Sequence, residues 1–232
     1  MTEESPWLEE IPKVRVIFEE VIRRDKWKDL DAKIKSKEIG ISTAFVDLEA
    51  ECYSRYLQYE AEVKKKWKDS GLDVIEKSLR QSRAPRGGES SELILHHLLR
   101  LSGVPADKGA RYPKGREGER LDIVIPSKQT MYANPARTAV ISVKRKVRER
   151  WREVVGEAYL LREIHQYKGK VLFVTIEADL SVYAMKSMQK LNVMLYTSEK
   201  HAAQFGQYGV RPVSTLVQDL ADLMAKGELE KS

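Results

Sequence analysis

Three polar side chains stand where the surrounding pattern asks for apolar ones. Asp122 interrupts a β-branched run, LDIVIP at 121–126, Lys144 closes a second run, TAVISVK at 138–144, and Glu157 follows Gly156 on the helical stretch beyond. Lys144 comes 22 residues after Asp122, and Glu157 a further 13 on. Neighbouring strands and the next helix can bring all three to one edge of a sheet. Carboxylate oxygens are hard donors that suit Mg²⁺, an ion that keeps several waters and takes further oxygens from phosphate. An ammonium beside them can orient an attacking water and steady the charge that builds on phosphoryl oxygens. Together they equip a site for phosphodiester hydrolysis. Taken singly, Asp122 and Lys144 are equally a strand-end ion pair and Glu157 a helix-surface acid, so the reading rests on their convergence.

The charge distribution supports a polyanionic partner. The net charge is +6, and it is concentrated. Arg137, Lys144, Arg145, Lys146, Arg148, Arg150 and Arg152 fall within 137–152 against the single acid Glu149, while Arg80, Arg83 and Arg86 have no acid among 77–88. Clustered cations of this kind attract nucleic acid, although a solvated helix face is the ordinary reading of a charge run.

These residues need elements to position them. Apolar residues at helical spacing (Val14, Ile17, Phe18, Val21, Ile22) predict helix over 7–40, with Gly40 as a stop and Ser42 or Thr43 capping a second helix. That helix carries Phe45, Leu48, Cys52, Tyr56 and Tyr59 on one face and runs to about Asp69, before Gly71. The breaker cluster QSRAPRGG at 81–88 marks the internal boundary, dividing a helical region, 1–80, from a core domain, 81–232. A helix from Glu89 to Leu101 follows, then a long Gly- and Pro-rich loop over 103–119 and strands at 121–126 and 138–144. Next come a helix from Arg148 to Gln166, strand 171–176, helix 180–190, strand 192–196 and two short helices. Several strands are continuous apolar runs, as in a mixed sheet covered on both faces. The expected fold is an α/β core with an N-terminal helical layer.

Composition excludes several classes. At 232 residues the chain holds one or two domains, and no apolar run approaches a membrane span. The acidic start, MTEESPWLEE, lacks a signal-peptide layout, and the single Cys52 rules out an intrachain disulfide or a cysteine zinc cage; a cytoplasmic, reducing location is expected. Only Asn134 and Asn192 represent their type, a bias of heat-adapted proteins.

The stretch SVKRKVRERWREVVGE, 142–157, resembles the type II restriction endonucleases of the SsoII, PspGI, EcoRII and NgoMIV group, most of all its PspGI member. The group's pattern is an Asp, then Ser-x-Lys, then Arg-Glu-Arg-Trp, then a Glu on the recognition helix, and the resemblance is strongest over 83–177. It implies a PD-(D/E)xK core in which Asp122 and Glu157 hold Mg²⁺, Lys144 serves the water and the phosphate, and Ser142 stands where the wider superfamily has its second acid. Glu89, placed at a helix start, equals either a metal-site support or a macrodipole-favoured acid.

The resemblance makes Arg148, Glu149 and Arg150 the base readers, since an Arg fork matches guanine O6 and N7 and a Glu accepts from cytosine N4. Arg83 and Arg86, on the preceding loop, clamp phosphates or read bases, and Lys146 joins them. Leu121 departs from the group's Pro, and Arg145-Lys146 from a Thr-Thr pair, adding two cations near the phosphates. Trp151 anchors its helix to the core. Some members extrude a central base pair onto an aromatic side chain, for which Phe45, Tyr53 and Trp67 are the candidates. His96 and His97 are core or solvent residues, not ligands.

The implied activity is double-strand cleavage at CC-x-GG (CCWGG or CCNGG) by a prokaryotic homodimer, beside a methyltransferase acting on the same site. The alternatives are a structure-specific repair or junction nuclease of the same fold and a non-catalytic DNA-binding regulator.

Overall fold

The computed structural model describes residues 5–146, 150–177 and 180–229. The first third is helical but divided: α1 (Pro6–Glu9), α2 (Val14–Ile22) and α3 (Leu30–Lys35) replace the single helix expected over 7–40. Turns intervene at Pro12 and around Asp25–Trp27, and Asp29 and Lys37 adopt left-handed backbone angles that end the helical path. Gly40 caps the start of α4 (Ile41–Lys66), where it was expected to stop the preceding helix. Neither Ser42 nor Thr43 caps that helix; the Ser42 hydroxyl donates to Glu199 instead.

The largest departure is α5 (Leu72–Leu101), one uninterrupted 30-residue helix that runs through the whole breaker cluster and contains Pro85. The junction expected at residues 80/81 therefore falls inside a helix, Glu89 sits in mid-helix, and Arg83 and Arg86 belong to the helix and not to a loop. Packing explains the override. Ile75, Leu79, Ile94, Leu95, Leu98 and Leu99 of α5 are fully buried on both sides of the cluster, and such burial outweighs the local penalties of Pro and Gly.

Among the described residues six strands form a single mixed sheet in sequential order, β1 (Asp107–Tyr112), β2 (Glu119–Ile125), β3 (Ala139–Lys146), β4 (Lys170–Glu177), β5 (Val193–Thr197) and β6 (Arg211–Pro212). β1, β2 and β3 pair antiparallel, and β3 to β6 pair parallel. The expected long loop over 103–119 thus contains a strand. Its sequence, DKGARY, hides it, because an edge strand buries little and can carry charge. The β1–β2 turn needs Gly118, whose missing Cβ leaves room for the Pro113 carbonyl.

Alternation along β3 sorts the two faces. Ile141 and Val143 join Ile123, Leu172 and Val174 under α2, α4, α5 and α10 (Leu216–Leu229). On the other face Val140 joins Val171, Phe173 and Leu195 under α7 (Trp151–Tyr159) and α8 (Val182–Lys190). A wide π-type turn over Leu160–Ile164 prolongs α7. Two further helices, α6 (Lys128–Ala133) and α9 (Glu199–Phe205), fill connections. Among the described residues no helix is long and apolar enough to cross a membrane.

Candidate active site

Pairing between β2 and β3 ends at Ile123↔Ile141, whereas β3 continues beside β4 as far as Lys146↔Glu177. The sheet forks there, leaving the Val143 N–H without a ladder carbonyl. Asp122 fills the gap: its Oδ2 accepts from Val143 N at 2.8 Å, which pins the carboxylate at the fork. The β period of two then sets Ser142 and Lys144 on the face covered by α7. Ser142 Oγ donates to Glu157 Oε2 at 2.9 Å and holds that helix acid in place. Lys144 Nζ lies 3.8 Å from Asp122 Oδ2 and 3.6 Å from Glu157 Oε1, so one ammonium bridges two carboxylates.

All three line an open cleft, with Ala84, Pro85, Gly88, Glu89 and Glu92 of α5 forming its other wall and Arg120, Arg150 and Glu153 at its margin. Burial pushes the Glu157 carboxyl above the usual carboxylate range, and the Asp122 charge adds to the rise, while Lys144 and the Ser142 hydroxyl hold it back. Glu92 is raised in the same way, by burial first and then by Asp122. Glu92 is not among the residues singled out from the sequence, although its signal, the i, i+3 relation to Glu89, is available in the helix expected over Glu89 to Leu101.

The donor set suits a hard divalent cation. Asp122 and Glu157 offer carboxylate oxygens at one point, and among the described residues no group of three His, Cys, Asp or Glu side chains forms a closed cage. An ion that takes one or two carboxylates and completes its shell with water and phosphate is the kind these residues fit.

The structure separates the remaining candidates. Glu89 is exposed on the cleft wall. Arg150 reaches the cleft margin but forks onto Glu153, Nη2 to Oε2 at 2.8 Å. Arg148 and Glu149 lie outside the described residues, as does the Lys146 side chain. Arg83 is held bidentately by the buried Glu60, with Nη2–Oε2 at 2.5 Å. Arg86 donates to the carbonyl of Pro12 at 2.7 Å and tethers the chain between α1 and α2.

Arg145 is not a free cation near the cleft. It points to the opposite face of β3, donates to the buried Glu49 at 2.9 Å and stacks on Tyr53 at 4.0 Å. Of the aromatic candidates, Phe45 is core and Trp67 donates its indole N–H to Glu10, while Tyr53 borders a small pocket with Tyr56 and Arg83. Trp151 packs against the core edge-on to Tyr183, at 5.6 Å between ring centroids. His96 bonds the Ala106 carbonyl and His97 meets Phe18 edge-on.

Comparison with known proteins adds four findings. The EcoRII C-terminal family model matches residues 55–218. The type II restriction enzyme SsoII of Shigella sonnei is 30% identical over 125 residues, which is 51% of this chain but 39% of that enzyme, so the match spans well under half of that relative. A solved complex of restriction endonuclease PspGI with substrate DNA is similar, with a TM-score of 0.85 and 26% identity over 95% of this chain and 96% of that one. Metal-depleted Ecl18kI in complex with uncleaved DNA shares the fold, with a TM-score of 0.76 and 20% identity over 94% of this chain and 81% of that one.

Proposed function

Because the chain belongs to the EcoRII C-terminal family, we propose that it is a Mg²⁺-dependent type II restriction endonuclease. In this reading it makes site-specific double-strand breaks at CC-x-GG sites. It acts as a homodimer inside a prokaryotic cell, beside a methyltransferase that modifies the same sequence. The observation that carries the reading is the meeting of Asp122, Lys144 and Glu157, three residues from three elements, around one ammonium.

Asp122 and Glu157 would hold the cation, which when bound stabilises charge on phosphoryl oxygens and acidifies water. Asp122 is held in place by the Val143 N–H and Glu157 by the Ser142 hydroxyl, so neither carboxylate must reorganise when the substrate arrives. The Lys144 ammonium orients the attacking water and meets the negative charge that develops on the scissile phosphate. Arg148, Glu149 and Arg150 read the two outer C·G pairs in the major groove, and a target with twofold symmetry calls for two copies, one active centre for each strand.

Digestion of plasmid DNA with MgCl₂, followed by sequencing of the fragment ends, tests the reading. Discrete bands with a common end sequence are expected, and Lys144→Ala or Asp122→Ala should lower cutting by at least about 10²–10³-fold while duplex binding persists. Full cutting by either variant refutes the site. A smear without preferred ends points to a structure-specific nuclease, and binding without any magnesium-dependent nicking to a regulator.

A further inference from the structure

α5 lines the cleft only with its middle. Ala84, Gly88 and Glu92 face the opening at i, i+4 and i+8, and the same face continues toward the N-terminus of the helix through Gln81 and Lys77. Ile75 and Leu79 occupy the buried side, and Lys77, Arg80 and Gln81 are exposed. The neighbouring charges are already committed: Lys64 pairs with Glu76 at 2.9 Å and Arg83 with Glu60. Among the described residues Lys77 and Arg80 form no ion pair, and no acid occurs between 77 and 88. Two cations outside any ion pair, Lys77 and Arg80, therefore continue the line of the cleft along the helix. Beyond them follow Asp73 and Glu76, Glu76 being paired to Lys64 and also in the field of Arg80.

We propose that this outer half of α5 is a track for the DNA backbone, on which Lys77 and Arg80 bind phosphates remote from the scissile one. The proposal rests on the nuclease reading and adds to it a second, sequence-independent contact surface. Lys77 lies 11 residues before Gly88, which is about 16 Å along the helix axis. With the helix axis laid along the strand and the cut beside Gly88, as the proposal has it, about 3.4 Å of rise per nucleotide takes Lys77 to phosphates roughly five nucleotides from the cut. Contacts of this type hold the duplex in register and carry no base information.

The experiment measures binding of a cognate duplex without divalent cation, for the wild type, for Lys77→Gln/Arg80→Gln, and for Lys37→Gln. Lys37 lines a hollow beside Ser102 at the other end of α5 and serves as the charge control. The double variant should make the negative slope of log K against log salt shallower by about 1.8, with cognate and non-cognate duplexes affected alike, and the control should change it less. Neutral methylphosphonate linkages are then placed singly along the strand. A neutral linkage about four to six nucleotides from the mapped cut should weaken the wild type and leave the double variant indifferent. Equal sensitivity of both proteins to that linkage, or an unchanged salt slope, overturns the track while leaving the nuclease reading intact. Failure of the wild type to bind any duplex sinks both.

Discussion

Glu157 is a carboxylate that burial would rather neutralise, kept in reach of ionisation by Lys144 and Ser142. A raised folded value means that the native state binds the proton more tightly than the unfolded chain does, so the fold loses stability as pH rises through that value. Glu157→Gln should therefore melt higher than the wild type near neutral pH in cation-free buffer, and the gap should close as pH falls toward the ordinary carboxylate range. Thermal melts across pH measure it, and a gap that does not change with pH contradicts the assignment. Cutting should fail on the acid side earlier than a normal carboxylate would allow. Arg145 has the opposite character, since its guanidinium compensates Glu49, which is 4% exposed. Arg145→Met should lower stability by about 3–5 kcal/mol in urea titration, and Arg145→Met/Glu49→Gln should recover part of the loss.

α5 is the element on which local and tertiary preferences disagree most. Pro85, Gly87 and Gly88 each disfavour helix, yet the helix continues because Ile75 and Leu79 before them and Ile94, Leu95, Leu98 and Leu99 after them are buried in the same core. Gly88 itself is not required by internal packing, as a Cβ there meets nothing within 4 Å. Gly88→Ala should raise stability by about 0.5–1 kcal/mol, read as a higher melting temperature. A destabilised variant would show that the helix is strained at this point. The strands behave differently. β2, β3 and β4 are legible as apolar runs because they are central and covered on both faces, whereas β1 and β6 are edges, and an edge strand need not advertise itself.

For the whole molecule, the division expected at residues 80/81 meets a core that ignores it. Phe18, Leu48 and Cys52 from the first region cluster with Leu98, Ile141 and Val174 from the second. A fragment of residues 81–232 should expose that face and show no cooperative melt or stay insoluble; a sharp melt of the fragment alone would restore two independent units. The shared core also fixes the site, since α5, packed on α4 and the sheet, sets the far wall of the cleft against the strand that carries Lys144.

The sequence alone determined the chemistry available. Asp122, Lys144 and Glu157 declare themselves as charged residues in apolar surroundings, and strand periodicity is enough to point Ser142 and Lys144 the same way. Which other groups share that space was decided by the tertiary structure. Glu92, one turn beyond Glu89, enters the cleft, and two arginines suited to phosphate, Arg83 and Arg145, turn away to buried carboxylates. The physical reason is range. Periodicity and propensity act over a few residues, whereas a buried charge is satisfied by whatever partner the fold brings near, and Glu49 lies 96 residues from Arg145.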